Sequence, residues 1–229
     1  MDRVRLAFIG LGNRGMGTLE FILNQNDVDI VAVCDLVIEN VEKGIKIVAN
    51  KRNYSPTGYI DYKKLLEQND IDGVLITSGW LGHCQMAIDA MNSGKYVAIE
   101  AGGVSDLQEC WELVRTSERS GMPCMLLENC CYGRRELSIL NMTKKGLFGE
   151  IIHCEGAYKH DLRDMVEPDT NKGRYRLEQY MYKNCENYPT HEIGPISKWL
   201  EINKGNQFLS LVSMSSKASG LNHYIREKH

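Results

Sequence analysis

Residues 4–35 read VRLAFIGLGNRGMGTLEFILNQNDVDIVAVCD, and the order of residue types within them decides the fold. Val4 to Ile9 are mostly apolar and partly β-branched, as a buried strand requires. They run straight into Gly10, Gly12 and Gly15, the spacing GxGxxG. Three glycines alone are a weak sign. Here they follow a strand, open the helical stretch RGMGTLEFILNQ, and lead to a second apolar strand, DIVAVCD, ending in Asp35 about twenty residues on; that context is the dinucleotide-binding fingerprint. The glycines let the backbone turn tightly and approach a pyrophosphate at a helix N-terminus, and Asp35 can accept hydrogen bonds from the adenosine ribose. An acid there repels the extra phosphate of NADP and no arginine follows it directly, so the expected cofactor is NAD. Asn13 and Arg14 add an amide and a guanidinium beside the pyrophosphate or the sugars. Arg14 reads equally as a solvated first-turn residue.

Outward from this stretch the alternation continues: a helix through Val41 to Ala49, the short GYID, the helix KKLLEQN and the buried strand IDGVLITS. Parallel strands joined by helices give a doubly wound sheet, so the fold class is α/β. After Ser78 comes GWLGHCQMAIDAMNSG, with Trp80 and His83 between a strand's carboxyl end and a helix, where open α/β sheets bind ligands. His83 could as well be a helix-start residue without a ligand. The strand KYVAIEAGG puts Glu100 at its carboxyl end; after the helix DLQECWELVRTSERSG, the strand MPCMLLEN puts Glu128 and Asn129 at another. Polar groups from several strand ends favour a cofactor carboxamide and ribose as the ligand of Glu100 and Asn129. The NAD-binding domain is expected over residues 1–129, and a second domain over 130–229.

With 229 residues, 43% hydrophobic and 25% charged, the chain can bury a core, and no apolar run is long enough to span a bilayer. A formal net charge of -3 with scattered Lys and Arg gives no footprint for nucleic acid or anionic membranes. Eight cysteines, Cys34, Cys84, Cys110, Cys124, Cys130, Cys131, Cys154 and Cys185, form no CxxC pair; they read as structural thiols, and no metal is expected. The start, MDRVRLAFIG, has no secretory pattern. As it stands the chain is expected in the cytoplasm, or in the periplasm or outside if a leader was removed.

Beyond Asn129 the pattern becomes α+β: helix RRELSILNMTKKG, long strand EIIHCEGAYKH, an irregular stretch from Asp161 to Asn187, helix IGPISKWLEIN and strand FLSLVSMSS. Period-two alternation puts Tyr158 and His160 on one face of the long strand. Ahead of the helix IGPISKWLEIN stands YPTH, Tyr188 to His191. Thr190 is a passable N-cap and Pro195 fits a first turn. Neither explains a phenol and an imidazole grouped beside them, which favours an active-site reading.

The runs LLENCCYGRRE, KKGLFGEIIHCEGAYKHDLR and YPTHEIGPISKWLEINKGNQFLSLVSMSS, together with the fingerprint, resemble the Gfo/Idh/MocA oxidoreductase superfamily, and within it the NAD-dependent α-N-acetylgalactosaminidase branch, glycoside hydrolase family 109. The resemblance runs from Arg5 to the C-terminus. It implies that Asn13, Arg14, Asp35, Trp80 to His83, Glu100, Ala101 and Asn129 contact NAD, that Tyr158, Arg176, Tyr188, Pro189, Thr190 and His191 contact the sugar, and that both aromatic pairs face the nicotinamide. The superfamily's dehydrogenases usually carry Lys-Pro after the strand-end Glu, and the glycosidase branch Val-Pro-Ala; here Ala101, Gly102 and Gly103 follow Glu100.

Ordinary glycosidases flank the bond with two carboxylates. An NAD-dependent one instead removes a hydride from sugar C3, which acidifies the C2 proton and permits elimination, water addition and re-reduction. The expected function is therefore a retaining, NAD-dependent α-N-acetylgalactosaminidase. His191 would take the C3 hydroxyl proton, Tyr188 or Tyr158 the C2 proton, and His160 would assist the leaving group. A sugar or polyol dehydrogenase of the same fold and a non-catalytic NAD-binding protein are the alternatives. Only two clear strands follow the first domain, where the superfamily carries a larger open sheet; the chain is expected to be C-terminally truncated and possible as a homo-oligomer through that sheet.

Overall fold

Six strands form one fully parallel sheet: β1 (Val4–Ile9), β2 (Val28–Cys34), β3 (Thr57–Tyr59), β4 (Gly73–Ile76), β5 (Tyr96–Glu100) and β6 (Cys124–Leu127), in the order β3-β2-β1-β4-β5-β6. That is the strand order of a Rossmann sheet. The computed structural model describes residues 3–102, 104–166 and 174–228. Helices α1 (Asn13–Ile22), α2 (Ile38–Lys51), α3 (Tyr62–Leu66), α4 (His83–Asn92) and α5 (Leu107–Ser120) connect the strands.

Side chains alternate across the sheet, and the two faces build two cores. Ala7, Ile9, Val74, Ile76, Val97 and Ile99 join Leu65, Ala87, Ala90 and Met91 of α3 and α4. Phe8, Ile30, Val33 and Leu75 join Met16, Leu19, Val41 and Val48 of α1 and α2. Burial on both sides is why β1 and β4 read as nearly unbroken apolar runs. Asp61 caps α3 by accepting from Lys63 N, and Asp106 caps α5 by accepting from Glu109 N at 2.9 Å.

The molecule divides into two compact units, Met1–Leu127 and Glu128–His229. The division falls two residues before the expected one and assigns Glu128 and Asn129 to the second unit. That unit contains a 3₁₀ turn at Asn129–Cys131 and helices α6 (Arg134–Lys144), α7 (Arg163–Val166), α8 (Arg174–Tyr182), α9 (Thr190–Trp199) and α10 (Gly220–Lys228). Its secondary structure departs from the expected open sheet. Residues 150–160 and 208–216 join no strand ladder, and Ile152, Leu209, Leu211, Val212 and Met214 are strongly exposed. A strand exists only where another backbone supplies its hydrogen bonds, and apolar β-rich sequence cannot provide that partner by itself. The stretch expected to be irregular instead carries α7 and α8; its residues 167–173 lie outside those described. Among the described residues no helix is long and apolar enough to cross a membrane.

The start of α9 also differs from expectation. The helix begins at Thr190, its N-cap position is Pro189 without a side-chain cap, and Pro195 is buried inside it rather than in its first turn. Proline has no N–H to offer the carbonyl of His191 four residues back. The helical ladder therefore leaves that carbonyl without its usual donor.

Candidate functional site

In the first unit, two of the three fingerprint glycines answer a steric demand. Gly10 has φ +95°, and a Cβ on it would stand 2.3 Å from Ser78 N at the end of β4. On Gly15 a Cβ would stand 2.0 Å from Gly10 O, so α1 can press onto the turn only without a side chain. Gly12, by contrast, has nothing within 4 Å of where its Cβ would be: it borders open space. The turn is held by Thr77, whose hydroxyl donates to Gly10 O at 2.6 Å. Gly12 is the N-cap of α1, and neither a capping side chain nor an acid occupies the first turn. The positive dipole end of α1 and the open space at Gly12 therefore suit a pyrophosphate, with Asn13 and Arg14 beginning the helix.

Asp35 closes this cradle. One carboxylate oxygen accepts from Leu11 N at 2.6 Å, and the other from Val37 N at 2.9 Å and Asn40 Nδ2 at 3.2 Å. Each oxygen has two lone pairs, so the carboxylate fixes the loop and retains acceptor capacity for ribose hydroxyls. Arg14 Nε donates to Glu100 at 2.6 Å, and the other Glu100 oxygen accepts from Ala101 N at 2.9 Å. This ion pair ties the glycine helix to the end of β5.

Trp80 is nearly buried, and Gly102 explains how. Gly102 has φ +84°, and a Cβ on it would stand 2.3 Å from Trp80 Nε1. The Ala-Gly departure from the family's Val-Pro thus makes structural sense: proline, fixed near φ −65°, cannot adopt this backbone. Gly103 lies outside the described residues. His83 is wholly buried, with Nε2 2.7 Å from the carbonyl of Ser78, and burial pushes its pKa below the ordinary value. Its ring braces the loop after β4. Asn129 is exposed in the 3₁₀ turn of the second unit.

That second unit gathers four aromatic side chains that the sequence spreads over 34 residues, Tyr158 to His191. The Tyr158 ring lies 4.5 Å from His160, 5.7 Å from Tyr188 and 4.4 Å from His191, while Tyr188 stacks on His191 at 5.1 Å. Arg176 of α8 donates from Nη2 to the Tyr188 hydroxyl at 2.9 Å. Gly156 allows this approach, since a Cβ there would stand 2.9 Å from Glu192 Cβ in α9. Thr190 and Pro189 complete the turn that presents Tyr188 and His191.

Glu128 was legible only as a strand-end acid, yet it is the anchor of this group. Its Oε1 lies 2.6 Å from His191 Nδ1, with both side chains buried, and also accepts from Cys130 N at 3.0 Å. Burial pushes the Glu128 pKa up; the Thr190 hydroxyl, the His191 ring and the Cys130 amide pull it down, and the net is below the ordinary value. Glu128, Cys130 and His191 bring their donor atoms within 4.8 Å of one another, a zinc-like set in composition. Two of the three donors are already joined by the short hydrogen bond. The cysteines are free throughout, and burial with the neighbouring Asp35 pushes Cys34 up to about 12.

Residues 4–127 match the family described as "Oxidoreductase family, NAD-binding Rossmann fold". The chain belongs to the Gfo/Idh/MocA oxidoreductase family. Its first unit is thus an NAD-binding Rossmann domain. Residues 132–229 match the C-terminal domain of glycosyl hydrolase 109. An alpha-N-acetylgalactosaminidase of Bacteroides fragilis is 43% identical over 99% of this chain and 55% of its own length. A glycosyl hydrolase family 109 protein of a Shewanella species is 40% identical over 100% of this chain and 51% of its own. The chain spans about half the length of these curated relatives. Among solved structures, myo-inositol 2-dehydrogenase of Lactobacillus plantarum superposes with TM-score 0.73 at 24% identity, over 86% of this chain and 56% of that one. Scyllo-inositol dehydrogenase of Lactobacillus casei, solved with NAD(H) and scyllo-inositol, gives 0.61 at 18% identity over 66% of this chain and 43% of that one. These two likenesses concern the fold.

Proposed function

We propose that the protein is an NAD-dependent glycosidase acting on α-N-acetylgalactosaminides. The observation that carries this reading is the cluster of Tyr158, His160, Tyr188 and His191 with Arg176, in a chain whose other unit is an NAD-binding domain. The glycosidase relatives support the substrate class. Bound NAD would supply a hydride acceptor and donor for sugar C3.

The remaining chemistry is proton movement, which belongs to the chain's own residues. His191 takes the C3 hydroxyl proton, its ring held by Glu128 on one edge and by Tyr188 on one face. Tyr188 or Tyr158 removes the proton at C2. Tyr188 is favoured by Arg176, because a guanidinium donating to the phenol oxygen stabilises the negative charge that develops as the proton leaves. His160, packed on Tyr158, protonates the departing oxygen. Water adds at C1 in place of the departed aglycone, its proton restoring His160, and the protons held by the C2 base and by His191 return to C2 and to the C3 oxygen.

Incubation with NAD and a chromogenic α-N-acetylgalactosaminide, following aglycone and NADH absorbance together, tests the reading. Aglycone release without net NADH is expected. Stoichiometric NADH from the free sugar without cleavage would identify a sugar or polyol dehydrogenase instead, and NAD binding with neither signal a non-catalytic protein.

A further inference from the structure

We propose that Glu128 is the positioning residue of His191: its carboxylate fixes the imidazole by Nδ1 and leaves Nε2 as the atom that exchanges a proton with the sugar. This inference rests on the functional reading above and assigns a role to a residue outside the aromatic cluster.

Three observations carry it. First, the 2.6 Å contact joins two buried side chains, 9% and 4% exposed; a carboxylate in such a place must be paired, and His191 is the side chain that meets its Oε1. Second, the approach is built into the backbone. Glu128 heads the 3₁₀ turn by accepting from Cys130 N, and Gly194, one turn along α9 from His191, makes room for it: a Cβ at Gly194 would stand 3.1 Å from Glu128 Cγ and 2.8 Å from Cys131 Sγ. Third, Tyr188 lies nearly parallel to the imidazole, at 15°, while Tyr158 meets it edge-on at 66°. Carboxylate and rings together leave the imidazole little freedom to rotate.

The chemical consequence follows from which nitrogen holds the proton. An Nδ1–H donating to a carboxylate makes Nε2 the basic atom, and once Nε2 gains a proton the same carboxylate stabilises the imidazolium. Glu128 touches no substrate in this scheme. A helix or turn cap alone would require only the Cys130 contact, and any short polar side chain could supply it.

The test uses protein labelled with ¹⁵N-histidine and reads the ring tautomer from two-bond proton–nitrogen correlations, alongside kinetics. Wild-type His191 is expected to carry its proton on Nδ1. In Glu128→Met, which keeps the side chain's bulk but offers no acceptor, the proton should leave Nδ1, and kcat should fall by roughly 10–100-fold with KM and NAD affinity unchanged. Glu128→Gln, which retains an oxygen acceptor without charge, should recover part of that loss. A wild-type proton on Nε2, or an unchanged kcat in Glu128→Met, overturns the proposal; a change confined to KM does so as well. If Glu128→Met fails to fold, the wild-type spectrum and the Gln variant still decide. Protein that binds NAD but releases no aglycone overturns the glycosidase reading, while the spectra separately decide whether Glu128 sets the tautomer.

Discussion

The two units treat their backbones in opposite ways. In the first, every strand has a parallel neighbour within the unit, and helices cover both faces over two separate cores. In the second, the two strand-like segments have no ladder, and few large side chains are buried among the described residues. The two candidate sites differ in the same way. The cofactor cradle is mostly backbone: N–H groups at a helix start and glycines whose missing Cβ atoms create the space. The aromatic cluster is mostly side chain, held by Arg176 and Glu128. Backbone sites tolerate little change at glycine and much elsewhere; side-chain sites do the reverse.

The largest expected effect tests the backbone site. Gly10→Val places a β-branched residue at φ +95° against Ser78, at a conformational cost of at least ~1–2 kcal/mol before any clash. NAD binding, measured by calorimetry, should disappear, while the ring-current shifts of Tyr158 and His191 should persist. Retained NAD affinity would remove the glycine turn from the cofactor site. The complementary change is His191→Ala, expected to lower turnover roughly 10²–10⁴-fold with NAD affinity intact. Loss of NAD affinity in that variant would show that the two units do not work separately.

Smaller effects sharpen the contrast. Gly102→Ala should cost about 1–2 kcal/mol from its left-handed backbone and displace the Trp80 indole, read from its Nε1–H resonance; an unmoved resonance would mean that another side chain sets the Trp80 position. Acid should loosen the units in sequence. His83 folds neutral with its pKa below the ordinary 6.5, so its contribution is complete above that value and declines as pH falls from there toward the folded pKa. Glu128 folds charged with its pKa below the ordinary 4.5, so its contribution is present above that value and is lost only as pH falls through the folded pKa. Hydrogen-exchange protection should therefore drop first around the loop before α4 and later around α9; the reverse order would reject this assignment. The least effect is chemical: alkylation should reach exposed Cys110 and Cys185 well before buried Cys34 and Cys84, whose thiols burial pushes up to about 12 and about 11. Peptide mass mapping over time gives the order.

Legibility in the sequence follows the same division. Gly10, Gly12, Gly15 and Asp35 could be read together as one candidate turn because their spacing is local: strand, turn, helix and next strand are consecutive, so adjacency in the chain becomes adjacency in space. Tyr188 and His191 were visible as an unexplained polar pair before a helix, and Tyr158 and His160 as one face of a period-two pattern. The residue pattern did not show their meeting, nor a helix around Arg176 in a stretch without apolar periodicity; only the resemblance placed both pairs and Arg176 at one sugar. Gly102 stood out only as a departure from the family's Val-Pro and Gly194 as an ordinary glycine, because the indole and the carboxylate that need them come from elsewhere.

By itself, then, the chain's order of residues determined a doubly wound parallel sheet with NAD as its cofactor, and it supplied the candidates for the cofactor turn and for the reactive side chains. Hydrophobic period, glycine steric freedom and short connections act within a few residues and can be read one after another. The tertiary structure alone decided that Glu128 holds His191, that Arg176 meets the Tyr188 hydroxyl, and that the apolar segments 150–160 and 208–216 remain without a ladder. Those outcomes depend on partners distant in the chain, and a hydrogen bond has no sequence signature until packing has chosen its other half.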